Sequence, residues 1–373
     1  MTSIPSTCRA AALVEGGKPL EIVDVVVPAE LEPGAILVEV TTATVCATDV
    51  HIASGKLAGG VTLPIIPGHE MTGRVARLGP GVDRDSVGQP LTVGDRIVWT
   101  HGFCGRCYNC VIAHEPTLCT DRRAYMATPY QQYPYLTGGF SEYCYVFPTS
   151  GRVKVPDAIP DAVASASSCA LRTVMHGFAR LGPVEDRTVV VQGAGPLGLF
   201  AVARAVASNA AKVIVVGAPA ERLALAKSWG AAEVLDVGEV PDADERVARV
   251  RDIVDGADVV IEMSGAPSAF TEGMQMLGRN GRYLLIGQVR ANLAEFDASQ
   301  IVHKQATLIG SLSGSVEDYW AALRFLQAHR DRFDWNAMIS NHYRFEDINN
   351  ALDAMRNLTE IKPAIVFTAP GSR

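Results

Sequence analysis

The sequence predicts an α/β protein in two parts, a doubly wound parallel sheet in the middle of the chain and a mostly β domain built from the segments around it. Three observations carry this. From about residue 10 to 160 the chain is a run of short β-segments broken by glycine and proline. From about 171 to 310 apolar strands alternate with helical stretches, and within that region GAGPLG, residues 193–198, joins a strand to a helix.

The first region reads AILVEVTTATV, MTGRVARLG, GDRIVW, SEYCYVF and GRVKVP, an irregular β domain. In the second, TVVVQ leads into the helix LGLFAVARAV, KVIVV into ERLALAKSWGA, and ADVVIEMSG with AFTEGMQMLG into GRYLLIG. Strands apolar on both faces and separated by helices are the mark of βαβ units in a sheet of Rossmann type. After residue 310 come an amphipathic helix, SVEDYWAALRFLQAH, a second, FEDINNALDAMRN, and a closing strand, KPAIVFT. These are too few for a third domain and are expected to pack back on the first. The expected division is residues 1–170 with 311–373 against 171–310.

Length and composition agree. A chain of 373 residues fits two domains of about 100–200 residues each. With 48% apolar and 20% charged residues, the charges scattered, a well-buried globular protein is expected. The formal charge of −7 includes no lysine and arginine patch, which speaks against nucleic-acid or anionic-membrane partners. The N-terminus carries no signal-peptide pattern and no apolar run reaches the roughly 18 residues of a membrane span. A soluble cytoplasmic protein acting on a small molecule is expected.

Cys104, Cys107, Cys110 and Cys119 lie within HGFCGRCYNCVIAHEPTLC. Disulfides are disfavoured by a reducing compartment, and a thioredoxin-like pair would need a helix start where this chain has a glycine-bearing knuckle. The spacing suits a tetrahedral thiolate shell around zinc, which, once closed, is structural. A second, wider set is Cys46, His69, Glu70 and Cys169. Each alone reads as a small buried residue or a hydrogen-bonded core histidine; together they have the composition of an open catalytic zinc site with two thiolates and one imidazole. Cys8 and Cys144 read as plain packing.

GAGPLG is the spaced-glycine phosphate fingerprint in its proper setting, after a strand and at a helix N-terminus. Gly193, Gly195, Pro196, Leu197 and Gly198 would cradle the pyrophosphate of a nicotinamide dinucleotide, the glycines for the tight turn, the close approach and the helix packing. The next strand ends in Gly217, where an NAD-selective site usually has a carboxylate. With Arg222 a few residues on as a source of positive charge, the reading leans to NADP over NAD.

Cys-x-Thr-Asp-x-His at 46–51, Gly-His-Glu at 68–70, the four-cysteine lobe, Cys169 followed by Thr173, and GAGPLG, in this order over nearly the whole chain, resemble the zinc-dependent medium-chain alcohol dehydrogenases. Two departures stand out: the gap between Cys110 and Cys119 is a residue longer than usual, and Gly217 replaces the usual acid. The resemblance implies a GroES-like catalytic domain beside the Rossmann domain and two zinc ions per chain. Cys46, His69 and Cys169 would hold the catalytic zinc, with Glu70 close behind as a further or exchangeable ligand and Asp49 orienting the set. Thr48 would touch the substrate oxygen and pass its proton to His51, while Thr173, Ser264, Gly265, Gly287 and Lys362 would line the cofactor. It further implies hydride transfer between an alcohol and NAD(P), and a homodimer or homotetramer joined through the cofactor domain, with residues 281–287 as the candidate contact. Two other readings are a reductase of an activated C=C bond, against which the Thr48–His51 pair speaks, and a non-catalytic NADPH- and zinc-binding descendant, against which the full ligand set speaks.

Overall fold

The computed structural model describes residues 4–55, 61–288 and 295–367. In chain order the first strands are β1 (Thr7–Ala12) and β2 (Glu21–Val26), an antiparallel pair. There follow β3 (Ile36–Thr44), α1 (Ala47–Ala53), β4 (Met71–Leu78), β5 (Arg96–Gly102), the one-turn α2 (Tyr108–Val111), β6 (Tyr143–Val146) and β7 (Ser150–Lys154). Helix α3 (Asp161–Ala166) runs into a π-helical turn, Ser167–Leu171. β3 is almost wholly buried because it is a centre strand: β4 and β6 pair with it antiparallel and α3 packs over it.

The middle of the chain alternates α4 (Arg172–Leu181), β8 (Thr188–Gln192), α5 (Pro196–Ala207), β9 (Lys212–Gly217), α6 (Ala220–Ser228) and β10 (Glu233–Asp236). It continues through α7 (Ala243–Ile253), β11 (Ala257–Glu262), α8 (Ala269–Met276), β12 (Leu277–Leu285), α9 (Ser299–Lys304) and β13 (Thr307–Gly310). The six strands form one parallel sheet in the order β10-β9-β8-β11-β12-β13. Val189, Val190 and Val191 of β8 are fully buried, as the continuous apolar run requires of a strand with helices on both faces. The order reverses between β8 and β11, and the crevice at the carboxyl ends of these strands is where such sheets bind ligands.

The chain ends with α10 (Val316–Ala328), β14 (Asn341–Arg344), α11 (Ile348–Arg356) and β15 (Pro363–Val366). β15 pairs with β3, so the sheet of the first region runs β14-β15-β3-β4-β5-β7, with β6 also on β3. Two compact units result: Met1–Cys169 with Gly314–Arg330 and Asp334–Arg373, and Ala170–Ser313 with Asp331–Phe333. The return to the first unit falls at 314 where 311 was expected, and three later residues join the second. Their attachment is physical: Phe333 packs edge-on against Trp229, and Arg332 donates to the Val206 carbonyl at 3.2 Å.

Candidate metal centres and dinucleotide site

The wider cysteine–histidine set is brought together inside the first unit. Ligand atoms of Cys46, His69, Glu70 and Cys169 all lie within 4.8 Å of one another, although the residues span more than a hundred positions. Cys46 ends the loop after β3 and caps α1, His69 and Glu70 precede β4, and Cys169 sits on the π-helical turn. Such turns recur where a side chain must be re-aimed at a functional site.

Asp49 holds this set in place. Fully buried, it accepts the Cys46 N–H at 2.9 Å through Oδ2, and through Oδ1 faces the Gly68 N–H and His69 Nδ1, each at 3.2 Å. With Nδ1 engaged by a carboxylate, His69 has Nε2 left as its ligand atom, the usual arrangement of a metal-binding imidazole. Burial works against a charged His69, but the Asp49 carboxylate outweighs it and holds the imidazole well above its ordinary pKa. The Cys46 thiol is pushed up to about 11, first by its hydrogen bond with Cys169 and then by burial. A closely spaced thiol, imidazole and carboxyl set that holds protons in this way is ready to exchange them for a divalent cation.

Behind the cluster is a polar network that sequence reasoning missed. Lys362, 1% exposed, places Nζ 2.6 and 2.7 Å from the two Glu70 carboxylate oxygens. The Thr44 hydroxyl donates to Glu70 Oε2 at 2.6 Å, and Ser165 Oγ donates to the Glu70 carbonyl at 3.0 Å. Burial pushes the Glu70 carboxyl up to about 7, which favours a proton on it, whereas Lys362 is raised by Glu70 against its own burial, which favours an ion pair. The geometry decides for the ion pair: two short N–O contacts and a hydroxyl donor converge on one carboxylate. Lys362 is therefore not a solvated terminal lysine but the buried partner of Glu70.

Thr48 and His51 share α1 three residues apart and so lie on one face; both are half-buried. The tyrosine-rich stretch after 126 is tied elsewhere in this unit. Tyr133 Oη meets Tyr145 Oη at 3.1 Å, and Tyr145 and Arg123 both donate to Glu32 at 2.9 Å. Trp99 and Thr100 are buried on β5.

The four clustered cysteines form a second group, again with ligand atoms within 4.8 Å of one another. A tetrahedron with zinc–sulfur bonds of about 2.3 Å has sulfur–sulfur edges of about 3.8 Å, so the group needs little contraction to close. No disulfide forms among the described residues, which include all eight cysteines. Backbone N–H groups point at sulfur: the Cys104 N–H lies 3.3 Å from Cys119 Sγ, and the N–H of Thr120, then that of Cys110, lower the Cys107 thiol to about 6. N–H groups aimed at sulfur stabilise thiolate, the form that binds metal. Cys8 and Cys144 are buried in the hydrophobic core, and burial pushes the Cys8 thiol up to about 12.

In the second unit GAGPLG follows β8 and opens α5, with Gly195 at the N-cap and Pro196 first in the helix. Gly193 has φ +111°, and a Cβ on Gly198 would lie 1.9 Å from the Gly193 carbonyl oxygen, so this turn admits glycine alone at both places. Around Gly195 there is open space within 4 Å, the room a phosphate needs. A Cβ at Gly217 would approach the Ala194 nitrogen to 2.7 Å, so a carboxylate-bearing residue could not be placed there without moving the turn. Arg222 is 4% exposed, and burial lowers its pKa. Asp236, which the sequence reading passed over, ends β10 in register with Gly217. Thr173 lies on α4, Leu197 follows Pro196 in α5, and Ser264, Gly265 and Gly287 lie on the turns after β11 and β12.

A doubly wound sheet with a phosphate-binding turn, in a chain that also carries an open cysteine–histidine metal set, defines a metal-assisted, dinucleotide-dependent oxidoreductase. Comparison with known proteins makes this specific. Residues 32–157 match the alcohol dehydrogenase GroES-like domain and residues 196–328 the zinc-binding dehydrogenase domain. The chain is 35% identical to the 5-exo-hydroxycamphor dehydrogenase of Pseudomonas putida over 96% of its length and 99% of that protein. It is 32% identical to the L-threonine 3-dehydrogenase of Pyrococcus horikoshii, covering 90% of this chain and 92% of that one. The crystal structure of a Thermotoga maritima alcohol dehydrogenase superposes with a TM-score of 0.90 at 31% identity, over 97% of this chain and 100% of that one. The chain belongs to the zinc-dependent medium-chain alcohol dehydrogenase family. It is an NAD(P)-dependent oxidoreductase that interconverts alcohols and carbonyl compounds, with zinc and a nicotinamide dinucleotide as its cofactors.

Proposed function

We propose that this enzyme oxidises a neutral secondary alcohol to the ketone, or the reverse, at a zinc ion held by Cys46, His69 and Cys169, with Glu70 close behind them as an exchangeable ligand. The observation that carries the reading is the convergence of these four side chains, oriented by a buried carboxylate. Bound there, zinc would lower the pKa of a coordinated hydroxyl and polarise a carbonyl. Thr48 on α1 orients the substrate hydroxyl and takes its proton at Oγ1. His51, one turn on, receives that proton and returns it to solvent, a task suited to a group whose ordinary pKa is near 6.5. Thr173, Ser264, Gly265 and Gly287 line the dinucleotide, whose pyrophosphate rests on the turn from Gly193 to Gly198. The four-cysteine lobe holds a second zinc with no open position. The secondary-alcohol reading is supported by the two relatives, both named for oxidation of a secondary alcohol.

For the cofactor we favour NADP, on the missing carboxylate at Gly217 and the guanidinium of Arg222 four residues beyond Ala218. One observation favours NAD instead: Asp236 beside Gly217 supplies a carboxylate from the neighbouring strand. The assembly is proposed as a homodimer or homotetramer. The test is a screen of secondary and primary alcohols with each cofactor, alongside metal analysis. Two zinc ions per chain, turnover of secondary alcohols and tighter binding of NADPH are expected; one zinc per chain, or preference for NADH, would overturn the corresponding part.

A further inference from the structure

We propose that Glu262 sets the nicotinamide half of the dinucleotide site, positioning its two turns and supplying a buried negative charge that favours the oxidised, cationic ring over the reduced, neutral one. This rests on the dinucleotide reading above and concerns a residue outside the phosphate-binding turn.

Glu262 is the last residue of β11 and is fully buried. Its Oε1 accepts three donors, the Ser264 N–H, the Ser264 hydroxyl and the Gly265 N–H, each at 2.7 Å. Its backbone carbonyl accepts the N–H groups of Ile286 and Gly287 at 3.0 and 3.1 Å. One residue therefore ties down both the turn after β11 and the turn after β12. The two turns meet closely over the carboxylate: a Cβ on Gly287 would lie 2.4 Å from the Gly265 nitrogen and 2.7 Å from Glu262 Oε2.

The second oxygen is the unusual feature. Glu262 Oε2 is buried and has no hydrogen-bond partner. A proton there would find no acceptor, while three donors crowd Oε1, so the donor set is that of a carboxylate. Buried acceptors are nearly always satisfied, and one left bare beside a ligand crevice needs a compensating interaction. In a sheet of this order the two mononucleotide halves lie on either side of the switch point. The pyrophosphate sits at the start of α5 after β8, the adenosine half lies over β9 and β10, and the nicotinamide half over β11 and β12. Glu262 is thus on the nicotinamide side. Because Oε2 is shielded, it acts by field and loop geometry without touching the cofactor, and through protein a unit charge is felt further than in water. The oxidised ring carries a positive charge and the reduced ring none, so only the oxidised form gains.

The test is calorimetric binding in the absence of alcohol, with wild type, Glu262→Gln and Glu262→Asp, using the oxidised cofactor, the reduced cofactor and the matching ADP-ribose, which lacks the ring. Glutamine keeps an acceptor for the three donors and removes the charge. Expected for Glu262→Gln is a loss of oxidised-cofactor affinity about tenfold or more greater than the loss for the reduced form, the scale of one unit charge acting across roughly 12 Å or less at an effective dielectric of about 20. ADP-ribose should bind as to wild type. Glu262→Asp should weaken both cofactor forms equally and keep their ratio. An unchanged ratio in Glu262→Gln, or a changed one in Glu262→Asp, overturns the proposal; if glutamine prevents folding, Glu262→Ser, which also removes the charge, takes its place in the same comparison. Failure of wild type to bind either cofactor would instead overturn the dinucleotide reading.

Discussion

At the scale of single residues, the Lys362–Glu70 pair is the feature with the largest energetic consequence. Taking both charges out of water costs several kcal/mol per ion, which only close geometry and added hydrogen bonds offset; here the Thr44 hydroxyl supplies one. Removing one partner leaves the other charge bare, so Lys362→Ala is expected to destabilise the protein by about 3–5 kcal/mol in denaturant unfolding, while the double change Lys362→Met, Glu70→Gln should recover most of that loss. A double variant no more stable than Lys362→Ala would show that the pair is not the reason. Glu70 was legible in the sequence from its place after His69. Lys362 was not, because its partner is 292 positions away and nothing local distinguishes it from a solvated lysine. Glu262 was equally silent, since an acid at the end of an apolar strand looks like the start of a loop.

At the scale of elements, the alternation of strand and helix and the glycine turn were readable because they are local: strand composition, the 3.6-residue period and a turn that admits only glycine all sit within a few residues. The π-helical turn under Cys169 was not, since an extra residue in a helix leaves no compositional trace. The two metal sites also differ at this scale. The four-cysteine lobe is a loop with one short α-helix, α2, and a single 3-10 turn, Pro116–Leu118, and its Arg106–Asp121 ion pair is exposed, so metal is its main support. The other site is held by β3, α1, β4 and a hydrogen-bonded carboxylate, so metal is not its main support. Cys104→Ser is therefore expected to lower the melting temperature and make the lobe protease-sensitive with kcat largely kept in the surviving folded fraction. Cys46→Ser should abolish turnover with little change in melting. The reverse pattern would mean the two roles are exchanged.

At the scale of the whole molecule, ligands drawn from residues 46, 69 and 169 meet only because β3, β4 and α3 pack together, and this couples folding, protons and metal in one site. The sign of the coupling follows from the shifts. Cys46, pushed up to about 11 by its bond to Cys169 and by burial, holds its proton throughout the neutral range without metal; Asp49, against burial, shifts His69 the same way, toward its protonated form. A ligand must be deprotonated to bind, so metal binding expels these protons and is opposed by acid. Each proton released makes affinity rise by up to about tenfold per pH unit, so zinc affinity at this site should climb steeply from about pH 6.5 to 7.5. The four-cysteine lobe is mixed: the Thr120 and Cys110 N–H groups lower Cys107 to about 6, while burial raises Cys110 to about 12, so this lobe too gives up protons on binding metal. Competition of the metal-free enzyme with a calibrated chelator across that range, read with Cys104→Ser to isolate the catalytic site and Cys46→Ser to isolate the lobe, measures both. A catalytic site whose zinc affinity did not change with pH would mean that Cys46 and His69 give up no protons to the metal, and hence are not its ligands.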